Sequence, residues 1–169
     1  MAGDMVWLKR TARWRHAARR GATAVEMAII APVFFMMLMG TVEMCLMMGA
    51  QQILENAAFN TARLAKTGYT GSGETQAQTV TQILDNELKA YGSMLDPNNV
   101  TVTETAYSDF SNAGTNTGGT SGYGTQQQIV AYTFTYPWKL FTPMMSEIIG
   151  TNGIVNLTST IVVRNEPYG

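Results

Sequence analysis

Met27-Ala-Ile-Ile-Ala-Pro-Val-Phe-Phe-Met-Met-Leu-Met-Gly-Thr-Val-Glu43-Met-Cys-Leu-Met-Met-Gly-Ala50 is the stretch that decides the fold. A helix rises about 1.5 Å per residue, so these ~24 residues reach roughly 36 Å, enough to cross a hydrocarbon core of ~30 Å. Pro32 removes one backbone donor and crowds the carbonyl of Ala28, which membrane helices tolerate because neighbouring groups re-satisfy the freed carbonyl. Glu43 interrupts the run. An ionised carboxylate near the bilayer centre costs on the order of 2.5–3.5 kcal/mol, and this one lies towards the far end. Two placements stay open for it: it reaches the outer interface, or it makes a polar contact between packed helices. Pro32 and Glu43 are the candidate helix-packing positions.

The residues just before the run are basic. Of the 11 Lys and Arg residues, six (Lys9, Arg10, Arg13, Arg15, Arg19 and Arg20) lie within Met1–Gly21, against the single acid Asp4. The remaining five bases face 11 acids, so the body carries −6 while the whole chain sits at −1. A basic head on an acidic body fits a chain split across a membrane with its head in the cytoplasm. Trp7 and Trp14 punctuate the bases as interfacial tryptophans do, a better account than a nucleic-acid-binding arm. The run is too long for a secretory signal peptide, whose apolar core spans roughly 7–15 residues. An Arg-rich, nearly acid-free head also suits a mitochondrial presequence, but here it leads straight into a spanning segment.

Beyond the run the helical period continues. Ile53, Leu54, Ala57, Ala58, Thr61, Ala62 and Ala65 fall on one stripe, with Gln51, Gln52, Glu55, Asn56, Asn60 and Arg63 largely opposite. Gly68-Tyr-Thr-Gly-Ser-Gly73 ends the helix. A stripe outside the membrane needs a partner. Glu74–Tyr91 offers one, with Val80, Ile83, Leu84, Leu88 and Tyr91 on one face. Three strands are expected over Val100–Ala106, Ile129–Tyr136 and Val155–Val163, and a short helical turn over Met144–Ile149. Ser108–Gln128, rich in Ser, Gly, Thr, Asn and Gln, reads as a solvated, flexible loop, with an adhesive or subunit-contact loop as the alternative. The fold class is therefore α+β: a long N-terminal transmembrane helix extending into a small outer domain with a second helix and a roughly three-stranded antiparallel sheet. Its divisions are a basic leader (1–21), the transmembrane and extended helix (22–66) and the α+β domain (67–169).

Little in the chain points to catalysis. His16 is the one histidine, and it lies in the basic head without a supporting constellation. Cys45 is the one cysteine, so no internal disulfide forms and no metal-ligand cluster gathers around it. No phosphate-cradling glycine loop precedes a helix. The expectation is a non-enzyme with no cofactor, no metal and no nucleic-acid partner.

The chain resembles TadE-like pseudopilins of the tight-adherence (Tad/Flp) pilus system. The resemblance rests on Arg19-Arg-Gly-Ala-Thr-Ala-Val-Glu-Met-Ala-Ile-Ile-Ala-Pro32, on Glu43 late in the span, and on Gln51-Gln-Ile-Leu-Glu-Asn-Ala-Ala-Phe-Asn-Thr-Ala-Arg63. The ending Val162-Val-Arg-Asn-Glu-Pro-Tyr168 is similar to an Arg-x-Glu-Pro ending in that family. The chain departs from the pattern at Met27, where Phe is common, and at Met44-Cys-Leu46, where an aromatic, Gly and Arg are common. The resemblance implies cutting by a prepilin peptidase between Gly21 and Ala22, and a role for Glu26 in assembly through a neighbour's terminal amine. It implies as partners that peptidase, other pilins or pseudopilins, the inner-membrane assembly platform and the lipid bilayer. The expected location is the bacterial inner membrane, with one span, a cytoplasmic N-terminus, a periplasmic domain and either residence there or entry into the fibre. An uncleaved, signal-anchored periplasmic binding or sensor domain is the alternative.

Overall fold

The computed structural model describes residues 4–149 and 152–167, with side chains from residue 23 onward other than those at 144 and 148. Helix α1 runs from Asp4 to Ala65 with Pro32 in its interior. It therefore starts well before the expected Ala22. Residues 4–20 are mostly Ala, Arg, Lys, Leu and Met, all good helix formers, and Gly21 alone costs only about 1 kcal/mol relative to Ala. The chain divides into two compact units at residues 42 and 43.

In the first unit, the described apolar side chains from Val25 to Val42 are mostly open to their surroundings, Ile29 and Met37 among them. Thr41 returns its hydroxyl to the Met37 carbonyl at 2.8 Å, the back-bond that lets a hydroxyl sit on a helix in apolar surroundings.

The second unit holds the core. Leu54, Ala57, Ala58, Ala62 and Ala65 of α1 are buried, as the stripe requires. They share one cluster with Val80, Leu84 and Leu88 of helix α2 (Gln76–Ala90) and with Val130, Tyr132, Phe134 and Leu157 of the sheet. Small residues on α1 let neighbouring backbones approach closely, and Tyr132 and Phe134 supply the bulk. Tyr91, expected on the buried face of α2, is 46% exposed because the helix stops at Ala90 and Gly92 turns the chain away with φ +89°.

Helix α2 starts at a reciprocal capping box. The Thr75 hydroxyl accepts from the Gln78 amide, and the Gln78 side chain accepts from the Thr75 amide at 2.9 Å. Thr75→Ala is expected to lower stability by about 1 kcal/mol, read as a lower thermal midpoint in detergent micelles, with Thr75→Ser close to the parent. An unchanged midpoint in Thr75→Ala would show that packing alone holds this end.

The sheet has four strands, not three, in the order β2-β1-β3-β4, all antiparallel. They are β1 (Thr101–Tyr107), β2 (Thr120–Ser121), β3 (Ile129–Lys139) and β4 (Ile154–Arg164). The additional strand lies in the segment read as a loop. There, Asp109 caps a short helix α3 (Phe110–Thr115) by accepting from the Asn112 amide at 2.8 Å, and Asn116 ends it in the left-handed region at φ 51°. β2 then pairs with Thr105 and Ala106. Tyr123 donates its phenol to Glu104 of β1 at 2.8 Å. Burial, and then that carboxylate, push the Tyr123 phenol above its ordinary range.

β3 also runs past Pro137, where the strand was expected to end. β1 pairs with β3 only as far as Thr135, so Pro137 pairs with β4 alone and its missing N–H breaks no ladder on the other side. A six-residue helix α4 (Pro143–Ile148) follows.

The Arg-Asn-Glu ending ties the unit together. Arg164 donates to the Gln127 carbonyl at 3.1 Å, and the buried Asn165 side chain donates to the Tyr123 and Thr125 carbonyls at 2.9 and 3.1 Å. The Glu166 amide donates to the Lys66 carbonyl at 2.9 Å, and its carboxylate meets the Lys66 ammonium at 3.0 Å.

Candidate functional site

The candidate site is linear, laid along α1 from Gly21 to Glu43. Gly21 and Ala22 fall within the helix, and their side-chain surroundings lie outside the described residues. Trp7, Trp14 and His16 also fall within the helix, and their side-chain surroundings likewise lie outside the described residues. Glu26 is exposed one helical turn past the junction. Pro32 is also exposed, in the interior of α1.

Glu43 stands apart. It is 3% exposed, while Val42 and Met44 on either side of it are 48% and 43% exposed. Within the chain its partner is a stretch of backbone, onto which the carboxylate is turned. Oε1 accepts from the Phe141 amide at 2.6 Å, and Oε2 accepts from the Thr142 amide at 2.9 Å. The two donors lie in the connection between β3 and α4. Thr142 occupies the N-cap of α4 but makes no side-chain cap of its own, and Pro143 takes the first helical turn. A carboxylate from α1 thus fixes the backbone just ahead of that helix. Two amide donors, charge-assisted and aligned, are what a desolvated carboxylate needs to remain there.

Glu26 belongs to the first unit and Glu43 to the second, 17 positions apart in sequence. The sequence reading missed Phe141 and Thr142 as the partners of Glu43. The available signal was Thr142-Pro143, a helix-start pair, which says where α4 begins and nothing about who anchors it. Among the described residues, no group of three or more His, Cys, Asp or Glu side chains converges on one point.

α1 contains a stretch, within Thr23–Ala65, that is long and apolar enough to cross a membrane, and only 6% of that stretch is buried by the chain itself. The core helix of a water-soluble domain would be mostly covered. Residues 21–63 match the TadE-like protein family. The match starts at Gly21, takes in Glu26, Pro32 and Glu43, and ends within the buried stripe of α1. No curated protein and no solved structure matches the chain.

Proposed function

We propose, from a TadE-like segment that opens at Gly21, that this chain is a pseudopilin or minor pilin needed to assemble a Tad-type pilus. The carrying observation is that coincidence: the family match begins at the residue where a small-residue junction follows two arginines and precedes Glu26 by five positions. In this reading the leader faces the cytoplasm, α1 spans the inner membrane once, and residues 67–169 form the bulk of a periplasmic domain. A membrane-embedded peptidase cuts between Gly21 and Ala22, removing six basic side chains and creating an α-amino group on Ala22.

Glu26 then becomes the fifth residue of the mature chain, at the first turn of α1, where a carboxylate is favoured by the helix dipole. Its assembly role is to meet the terminal amine of a neighbouring subunit, each charge offsetting the burial of the other. Glu26→Ala is expected to leave the cut intact and to remove most assembled pili, since losing one partner of a buried pair costs about 3–5 kcal/mol. Counting pili by electron microscopy, with a blot for the processed chain, checks both halves. Normal pili in Glu26→Ala would remove the assembly role.

The test of the reading as a whole is intact mass of the membrane-extracted chain, with and without the peptidase. A chain that begins at Met1 in both cases would sink it. The alternative, an uncleaved anchored binding domain, would use a groove of about 680 Å³ bordered by Asp85, Lys89, Asp96 and Glu104. Lys89 there is already paired with Asp85. That reading requires the leader to be retained, so the same mass measurement separates the two.

A further inference from the structure

Phe141 is 71% exposed, more than any other large apolar side chain among the described residues of 43–169. It is not a loose side chain. Its amide is held by Glu43 at 2.6 Å, and its ring stands edge-on to Trp138 with centroids 5.8 Å apart. Trp138 and Leu140 are both buried, so the ring is braced outward and has no room to fold back.

The position along α1 matters. Glu43 lies 16 residues past Met27, about 24 Å along the helix, within a hydrocarbon core of ~30 Å. Glu43, and with it the segment it holds, therefore falls late in the apolar run 27–50, towards the outer side of that core. The apolar surface of α1 does not stop there, since Met44, Leu46 and Met48 are exposed at 43%, 40% and 64%. Phe141, held to α1 through Glu43, adds a further exposed apolar side chain, and exposed Lys139 precedes it with a charge suited to headgroups. A carboxylate at this depth satisfied by two amides, beside an uncovered aromatic ring, fits lipid and not water.

We propose that residues 140–143 form a foot that rests in the outer lipid surface, with Phe141 set among the acyl chains beside α1. The foot fixes the height of the C-terminal unit over the bilayer. This inference rests on the single-span reading above.

The test uses the full chain with Cys45→Ala, reconstituted in phosphatidylethanolamine–phosphatidylglycerol vesicles. Nitroxide labels are placed one at a time through Met36→Cys, Phe141→Cys and Tyr69→Cys, and collision with oxygen is compared with collision with a polar nickel chelate. Tyr69, 62% exposed just past the end of α1, is the aqueous reference. The label at 141 is expected to favour oxygen over the chelate by several-fold relative to the label at 69, as the label at 36 does. Pro143→Cys repeats the measurement with the Phe141 ring intact. If positions 141 and 143 match position 69 while 36 favours oxygen, the span stands and the foot is overturned. If both are shielded from oxygen and chelate alike, a protein neighbour covers the segment and the foot is overturned again. A chelate-accessible label at 36 overturns the span and the foot together.

Discussion

Replacing Glu43 with leucine is expected to loosen the C-terminal unit by roughly 2–4 kcal/mol, since it orphans the amides of Phe141 and Thr142 at about 1–3 kcal/mol each. One effect pulls the figure towards its lower end: leucine no longer requires a desolvated carboxylate. The remaining deficit should lower the thermal midpoint by about 5–10 °C. It should also raise hydrogen exchange at Phe141 and Thr142 before the rest of the sheet. Glu43→Gln retains one carbonyl oxygen but turns an NH2 group towards the second amide, so it should fall between the two. The measurement is circular dichroism in micelles with residue-resolved exchange. Unchanged protection at both amides in Glu43→Leu would show that the β3–α4 connection holds itself.

Gly21→Phe is expected to abolish processing, with the full-length chain accumulating and its six leader bases retained. A phenyl group at a junction that must enter a protease cleft displaces the scissile bond, and misplacement on the scale of 1 Å costs roughly 10²-fold. Because α1 runs unbroken through the junction, a turn of helix must also open before the chain can be cut. Glycine makes that opening easier. Gly21→Ala adds only a methyl group but favours the helix by about 1 kcal/mol, which alone reduces the opened population about fivefold. Graded rates, with Gly21 fastest, Ala intermediate and Phe undetectable, would be read by pulse-chase and intact mass. Equal rates for all three would place the cut elsewhere.

Much of this architecture was legible because it is periodic. The α1 stripe from Leu54 to Ala65, the Val80–Leu84–Leu88 face of α2 and the Val130–Tyr132–Phe134 face of β3 each repeat at the spacing of their element, and all three enter one core. What was not legible lacked a period or a neighbour in sequence. β2 is two residues long, in a segment whose Gly, Thr and Asn suit a turn equally well, and its existence depends on pairing with Thr105 and Ala106. The backward extension of α1 to Asp4 left no boundary signal, because leader and span are both good helix formers. Glu43 was legible as an anomaly but not as a contact. Its partners are backbone amides 98 and 99 residues away, and an amide has no residue type to read. Gly21 and Glu26 were singled out through spacing and resemblance, and the roles proposed for them involve other molecules.

The tie between Lys66 and Glu166 has a mechanical meaning. It fastens the chain just past β4 to the residue just past α1, while Glu43 fastens the β3–α4 connection to the same helix about 35 Å earlier along its axis. Tension transmitted along α1 reaches both fastenings together, so they share the strain in parallel and do not give way one after the other as in a peeled hairpin. A chain pulled by its helix resists most strongly in that geometry.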